Sequence, residues 1–243
     1  MIKIIKECRK DSKKVFSTIA IMALMIISII SCGSSNEPEI PVIPEPQVTP
    51  INELYKDLDF TAIAAHRCYF RNSPENSLAA IQDGIDLGIE FLETDTRTTA
   101  DGVVVLFHDS TLDRITTSSG LIENKNYNAI SSLKLKDKNG NLTSEPISTL
   151  EQALLKIKGK KIYIHIEVKD KKFSEVIKIV KKTKTENQVV IFADKREDYN
   201  EIDAFVGIFA DPVCRNSSDF NFYLNKSNTP LLNLAGSQFN SNN

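Results

Sequence analysis

Tryptophan is absent from this 243-residue chain, and histidine occurs only three times, at positions 66, 108 and 165. Any chemistry that needs imidazole therefore rests on those three residues. The four cysteines lie at 8, 32, 68 and 214 and form no CxxC pair, which excludes zinc-ribbon and dithiol redox chemistry. Only Cys68 and Cys214 lie in the body of the chain, too few for a disulfide framework, although a single bridge between them stays open in an oxidising compartment. No glycine-rich phosphate loop follows the first apolar run, which counts against a nucleotide-binding doubly wound fold. There is no internal repeat and no basic excess. Formal net charge is −2, so there is no electrostatic footprint for nucleic acid.

What is present is an ordinary globular composition, 41% hydrophobic and 26% charged, with a polarised start. Residues 1–31 hold six Lys/Arg and two Asp/Glu, leaving 24 basic against 30 acidic residues in the remainder. An anionic substrate must therefore be drawn in by local cations, because the global field repels it. Six basic residues precede an apolar run from Val15 to Ile30, and Ile29-Ile30-Ser31-Cys32 follows. A basic region, a short apolar region and a small residue before a break describe a secretory signal. The run is short for a membrane-spanning helix. Ile29–Cys32 resembles a bacterial lipobox, which implies acylation at Cys32 and export, with the membrane as a partner through an N-terminal lipid anchor. An uncleaved membrane anchor is the competing reading. Residues 1–32 thus read as signal and lipobox, and residues 33–51, with five prolines, as a partly extended tether. Residues 52–243 form the folded domain.

In that domain, apolar strand candidates alternate with helical stretches. Strands are expected at 61–65, 90–97, 103–108, 161–169, 189–193, 206–210 and 230–234, with Asp101-Gly102 a turn signal that sets the second and third close together. Helices are expected from near Pro74 to Gly88, and at 150–157, 174–184, 196–205 and 218–226. Residues 109–146 read as a polar loop or small insertion. Strand–helix alternation implies a parallel sheet with helices outside, in a barrel or an open sheet.

The residues with chemical potential gather at the ends of the first four strand candidates: His66 and Arg67, then Glu93 and Asp95, then His108, then Glu167 and Lys169. In a parallel α/β barrel these ends form one mouth, where active sites lie. Residues i and i+2 share a strand face, so Glu93 faces with Asp95, and Glu167 with Lys169. Three carboxylates converging at one mouth repel one another unless a cation intervenes. Hard oxygen ligands favour Ca²⁺ or Mg²⁺. By the same parity His165 points inward one layer below. It is either a hydrogen-bond partner of a metal-binding carboxylate or a satisfied interior histidine. Glu75 and Asn76 either reach the mouth or serve the following helix, and Arg114 and Thr116 hold the loop after the third strand.

The segments HR at 66–67, PENS at 74–77, ETDTRTTADGVVVLFHD at 93–109, LDRIT at 112–116 and IEVK at 166–169 resemble, in order and spacing, the motif series of the glycerophosphodiester phosphodiesterase family. The resemblance covers about residues 61–170. It implies a (β/α)8-type TIM barrel and hydrolysis of glycerophosphodiesters to glycerol 3-phosphate and an alcohol. It also implies one divalent cation held by Glu93, Asp95 and Glu167, acid/base catalysis by His66 and His108, and phosphate contacts from Arg67 and Lys169. An unperturbed imidazole pKa near 6.5 suits either proton role, and the motifs do not assign acid and base between the two histidines.

Two departures stand out. Cys68 occupies a position where the family has glycine, and the family's tryptophan-containing segment near the last strands is missing. With seven strand candidates in 192 residues, against about 250 for a typical barrel, the expected scaffold is C-terminally shortened. Two further readings fit the same residues: a phosphodiesterase acting on lysophospholipids, and a lipoprotein that binds phosphodiesters or glycans without turning them over.

Overall fold

The structure, a computed structural model, describes residues 48–54, 64–69, 71–224, 226, 228–230 and 232–234. The expected signal, Cys32 and most of the tether lie outside the described residues. In chain order the elements are α1 (Ile51–Leu54), β1 (Ala64–Ala65), α2 (Leu78–Asp86), β2 (Phe91–Thr98), β3 (Val104–Leu106), α3 (Tyr127–Ile130), β4 (Lys134–Lys136), β5 (Leu142–Pro146), α4 (Leu150–Ile157), β6 (Tyr163–Val168), α5 (Phe173–Thr183), β7 (Val189–Ala193), α6 (Arg196–Asp203), β8 (Phe209–Cys214), α7 (Ser217–Tyr223) and β9 (Asn233–Leu234). A 3-10 turn, His66–Cys68, follows β1 directly.

The parallel sheet runs β1-β2-β6-β7-β8-β9, each helix-linked step being a βα crossover of the kind a barrel repeats. Alternation along the strands separates two environments. Leu92, Ile164, Ile166, Ile191 and Ala210 pack with the helices α2, α4, α5 and α6 in the main core. Phe91, Tyr163 and Val190 form a second cluster on the opposite face, at the N-terminal strand ends. One face is therefore covered by helices while the other encloses an interior, as in a barrel wall and unlike a doubly wound sheet. Helix starts are chemically set: Ser77 accepts from the Ala80 amide, and Thr149 with Gln152 forms a reciprocal capping box.

Three expectations change. The third strand candidate, 103–108, is not a parallel barrel strand. β3 pairs antiparallel with the end of β2, Thr96 opposite Leu106 and Thr98 opposite Val104. Five intervening residues suffice for a hairpin, whereas a parallel crossover needs about a dozen or more. Gly102, at φ +81°, supplies the left-handed turn residue. The tether does not extend to 51: Ile51 is fully buried and packs with Phe91, Tyr163 and Val190, with Val48 and Leu54 against the same cluster. The Tyr163 hydroxyl donates to the Thr49 carbonyl at 2.7 Å. Finally, the strand placed at 206–210 starts at Phe209 and continues to Cys214, because Gly207 takes φ +79° and Val206 stands 88% exposed in the turn.

Residues 107–147 are an ordered insertion with a hydrophobic cluster of its own, which includes Phe107, Leu112, Ile115, Ile122, Ile130 and Leu135. The hairpin of β4 and β5 belongs to it. Among the described residues no helix is long and apolar enough to cross a membrane.

Candidate active site

β2 and β6 lie side by side in parallel, with Glu93 opposite His165 and Asp95 opposite Glu167. That register brings Glu93, Asp95 and Glu167 together, one carboxylate oxygen of each lying within 4.8 Å of the others. His66 and Arg67 arrive from the turn after β1, which pairs with β2 on its other side. His108 arrives by a different route. The β2–β3 hairpin rises past the mouth and returns, so that the Phe107 amide donates to the Asp95 carbonyl at 3.0 Å. All seven residues named at the mouth are thus gathered there, although only three parallel strands carry them.

The acidic trio is closely held. Asp95 is fully buried; its Oδ2 accepts from Asn76 Nδ2 at 2.9 Å, and Lys169 Nζ lies 3.1 Å from its Oδ1. Glu93 Oε2 accepts the Arg67 backbone amide at 2.7 Å. Lys169 Nζ is also 2.7 Å from Glu167 Oε1, so its ammonium supplies the countercharge between two of the three acids. Burial pushes the Lys169 pKa down, but Glu167 and Asp95 outweigh this and raise it. Burial, and then the charge of Asp95, push Glu93 up to about 7.

A divalent cation fits this donor set. Glu93 Oε1 is buried without a hydrogen-bond partner, and the mutual repulsion of three converging carboxylates is relieved by a cation among hard oxygen ligands.

Asn76 holds the trio from behind. It is fully buried with φ +53°. Its side-chain oxygen accepts from the Asp95 amide at 3.0 Å and the Thr94 hydroxyl at 2.8 Å. Asparagine tolerates this left-handed conformation better than most residues, so the residue before the Ser77 cap can serve β2 and not the helix. Glu75, expected either to reach the mouth or to cap, is clasped by two arginines. Arg67 Nη1 donates to both its oxygens at 2.9 and 3.0 Å, and Arg114 donates through Nη1 and Nη2 at 3.0 and 2.6 Å.

His66 is half exposed, its Nε2 3.9 Å from Glu93 Oε2. Burial, then the neighbouring charge of Arg67, lower its pKa. His108 Nδ1 sits 2.7 Å from Asp109 Oδ1, which assigns the proton of the neutral ring to Nδ1 and the lone pair to Nε2. His165 does point inward, but its partner is Asp211 on β8, with Nε2 3.2 Å from Oδ2. The expected strand ended at 210 and so left out Asp211; counting alternate residues from Phe209 places it on the interior face. Cys68 and Cys214 are both free and buried.

Residues 66–209 match the model of the glycerophosphoryl diester phosphodiesterase family. The chain belongs to this family. A glycerophosphodiester phosphodiesterase of Caldanaerobacter subterraneus subsp. tengcongensis is 32% identical over 138 residues, covering 54% of this chain and 57% of that protein. Human glycerophosphodiester phosphodiesterase 1 is 31% identical over 120 residues, covering 48% of this chain and 36% of that one. The chain thus spans little more than half the length of the first and about a third of the second. A crystal structure of a glycerophosphoryl diester phosphodiesterase from Parabacteroides distasonis aligns with TM-score 0.68 at 23% identity, over 76% of this chain and 68% of the other. A phosphodiesterase of Oleispira antarctica, solved with the product sn-glycerol-3-phosphate, aligns with TM-score 0.63 at 22% identity, over 74% and 76%. These likenesses establish the fold as a TIM barrel, of which the sheet described here is a partial version.

Proposed function

We propose that this protein hydrolyses glycerophosphodiesters to glycerol 3-phosphate and an alcohol, with His66 and His108 as the acid/base pair. The observation that carries the reading is the convergence of two imidazoles, three carboxylates, Arg67 and Lys169 on one mouth of a family barrel. The Oleispira protein, whose product complex contains sn-glycerol-3-phosphate, supports the substrate class.

The chain's own groups suffice to outline the work. Lys169, set between Glu167 and Asp95, presents an ammonium where the non-bridging oxygens of a phosphodiester gain charge in the transition state. Arg67 adds a planar donor fork suited to phosphate. Asp109 holds the His108 ring in one orientation and stabilises its imidazolium form. One imidazole then takes the proton of the attacking hydroxyl or water while the other delivers a proton to the leaving alkoxide. Glu93, Asp95 and Glu167 would hold the divalent cation, Ca²⁺ or Mg²⁺, which supplies Lewis-acid stabilisation of phosphoryl oxygen when bound.

Residues 1–32 support a further part of the proposal: export and acylation at Cys32, leaving the barrel tethered to a membrane. Mass spectrometry of membrane-extracted protein would show a diacylglyceryl adduct on Cys32; an unmodified cysteine in a processed or intact chain would refute it.

The activity is tested with the full chain and glycerophosphocholine, following glycerol 3-phosphate release. Chelation should abolish turnover, and His66→Ala and His108→Ala should each lower kcat by roughly 10²- to 10⁴-fold. Turnover that survives both changes would rule out this mechanism.

A further inference from the structure

Resting on that reading, we propose that Arg114 is a positioning residue that locks the acid/base histidine His108 to the phosphate-binding Arg67, so that both are set by one guanidinium. Arg114 spends all three of its nitrogens on two carboxylates. Its Nε donates to Asp109 Oδ2 at 2.6 Å, and its Nη1 and Nη2 take the two oxygens of Glu75 at 3.0 and 2.6 Å. Asp109 uses its other oxygen for His108 Nδ1 at 2.7 Å. Glu75 receives Arg67 Nη1 on both oxygens. The result is one unbroken series: imidazole, carboxylate, guanidinium, carboxylate, guanidinium.

Charge and burial argue that this is more than a surface clasp. Two carboxylates alternate with two guanidiniums, so the series is neutral with the imidazole uncharged. The Glu75 side chain is only 8% exposed although that of Arg114 is 46% exposed. Removing one arginine leaves a buried carboxylate incompletely compensated, the case in which an ion pair matters most. The fork is planar and bidentate, which lysine cannot reproduce. Arg114 is itself fixed from below: its neighbours Leu112 and Ile115 are buried in the cluster of the insertion, and the Thr116 hydroxyl and amide both donate to the Leu112 carbonyl. The insertion and the loop before α2 thereby meet through this residue, and with them the groups that handle the proton and the phosphate.

A role in loop stability alone makes a different prediction from a positioning role. The test uses the full chain carrying Arg114→Lys or Arg114→Met. The first readout is the imidazole ¹⁵N spectrum of His108, assigned with His108→Gln, which reports the tautomer without any turnover. In the wild type the Nδ1-protonated form should dominate, and in both variants it should give way to a mixture. The second readout is kcat and KM for glycerophosphocholine. We expect kcat to fall on the order of a hundredfold, the cost of an ångström-scale misplacement, with KM raised and Lys no better than Met. Guanidinium ion added to Arg114→Ala should restore part of the loss. A folded Arg114→Lys with the wild-type His108 spectrum and wild-type kcat would overturn the proposal, and so would a variant destabilised to heat but kinetically unchanged. If the wild type does not turn over this substrate, the functional reading fails and the spectrum still decides the coupling.

Discussion

At the residue scale, Cys68 is the most unusual position. It is fully buried, with φ +62°, between Arg67 at +52° and Tyr69 at +63°. Three consecutive non-glycine residues in the left-handed region carry strain of about 1–2 kcal/mol each. They bend the chain so that the Arg67 amide faces Glu93, which a regular turn after β1 would not do. Cys68 Sγ lies 3.5 Å from the Glu93 carbonyl, and burial raises its pKa well above the ordinary thiol value, so it is a packed thiol and not a reactive one. Left-handed strain of about 1–2 kcal/mol for alanine exceeds the roughly 0.8 kcal/mol of the buried methyl that glycine gives up, so Cys68→Gly should be more stable than Cys68→Ala. Equal denaturation midpoints for the two would show that the strain is smaller than this.

Asp109 gives a pH prediction at the same scale. Burial pushes its carboxyl up, but hydrogen bonds from Arg114 and His108 outweigh this and hold it below the usual carboxylate range. A depressed folded-state pKa contributes stability above the unfolded value, near pH 4, and loses it as pH falls through the lower folded value. The stability advantage of the wild type over Asp109→Asn should thus shrink as pH falls below about 4. Urea unfolding from pH 2.5 to 7 measures it; an advantage unchanged at the acid end would contradict the assigned hydrogen bonds.

At the element scale, the site depends on a hairpin in place of a crossover. β3 returns against β2, and that return delivers His108 to the level of the trio. The turn residues Asp101 and Gly102, five positions of connection and the apolar run 103–107 make the hairpin legible in the sequence. The parallel reading fails on loop length alone. The short helix α1 matters for a second reason. Ile51 closes the end of the interior opposite the mouth, against Phe91, Tyr163 and Val190. Proline-rich composition made residues 33–51 resemble a tether throughout, because composition does not register the single apolar side chain that finds a pocket. Ile51→Ala should destabilise the domain by about 2–5 kcal/mol without moving any site residue. A change below about 0.5 kcal/mol in the unfolding free energy would place Ile51 outside the fold.

At the scale of the whole molecule, three acids converge on a site where Lys169 and Arg67 supply close cations. The folded barrel therefore holds its own electrostatic opposition, with Glu93 raised to about 7 by burial and Asp95. A ligand that binds the folded state alone stabilises it by mass action, about 2.7 kcal/mol at a hundredfold excess over Kd. Ca²⁺ or Mg²⁺ should raise the melting temperature of the full chain, and Asp95→Asn should remove most of that shift. A melting temperature indifferent to both ions would argue against a cation at the trio.

Strand parity determined from the sequence alone that Glu93 pairs in facing with Asp95, that Glu167 does so with Lys169, and that His165 looks inward, since the two-residue period is a local property of the chain. The turn at Asp101-Gly102, and the start near Pro74 and end at Gly88 of the first helix, were readable for the same reason. The partners were not. Only the tertiary structure decided that His165 meets Asp211, that Asn76 turns back to hold Asp95, and that Glu75, Asp109 and Arg114 join two loops into one network. Those contacts span up to 46 residues between their ends. They depend on which strands become neighbours and on where a few left-handed residues turn the chain, and a one-dimensional pattern carries neither.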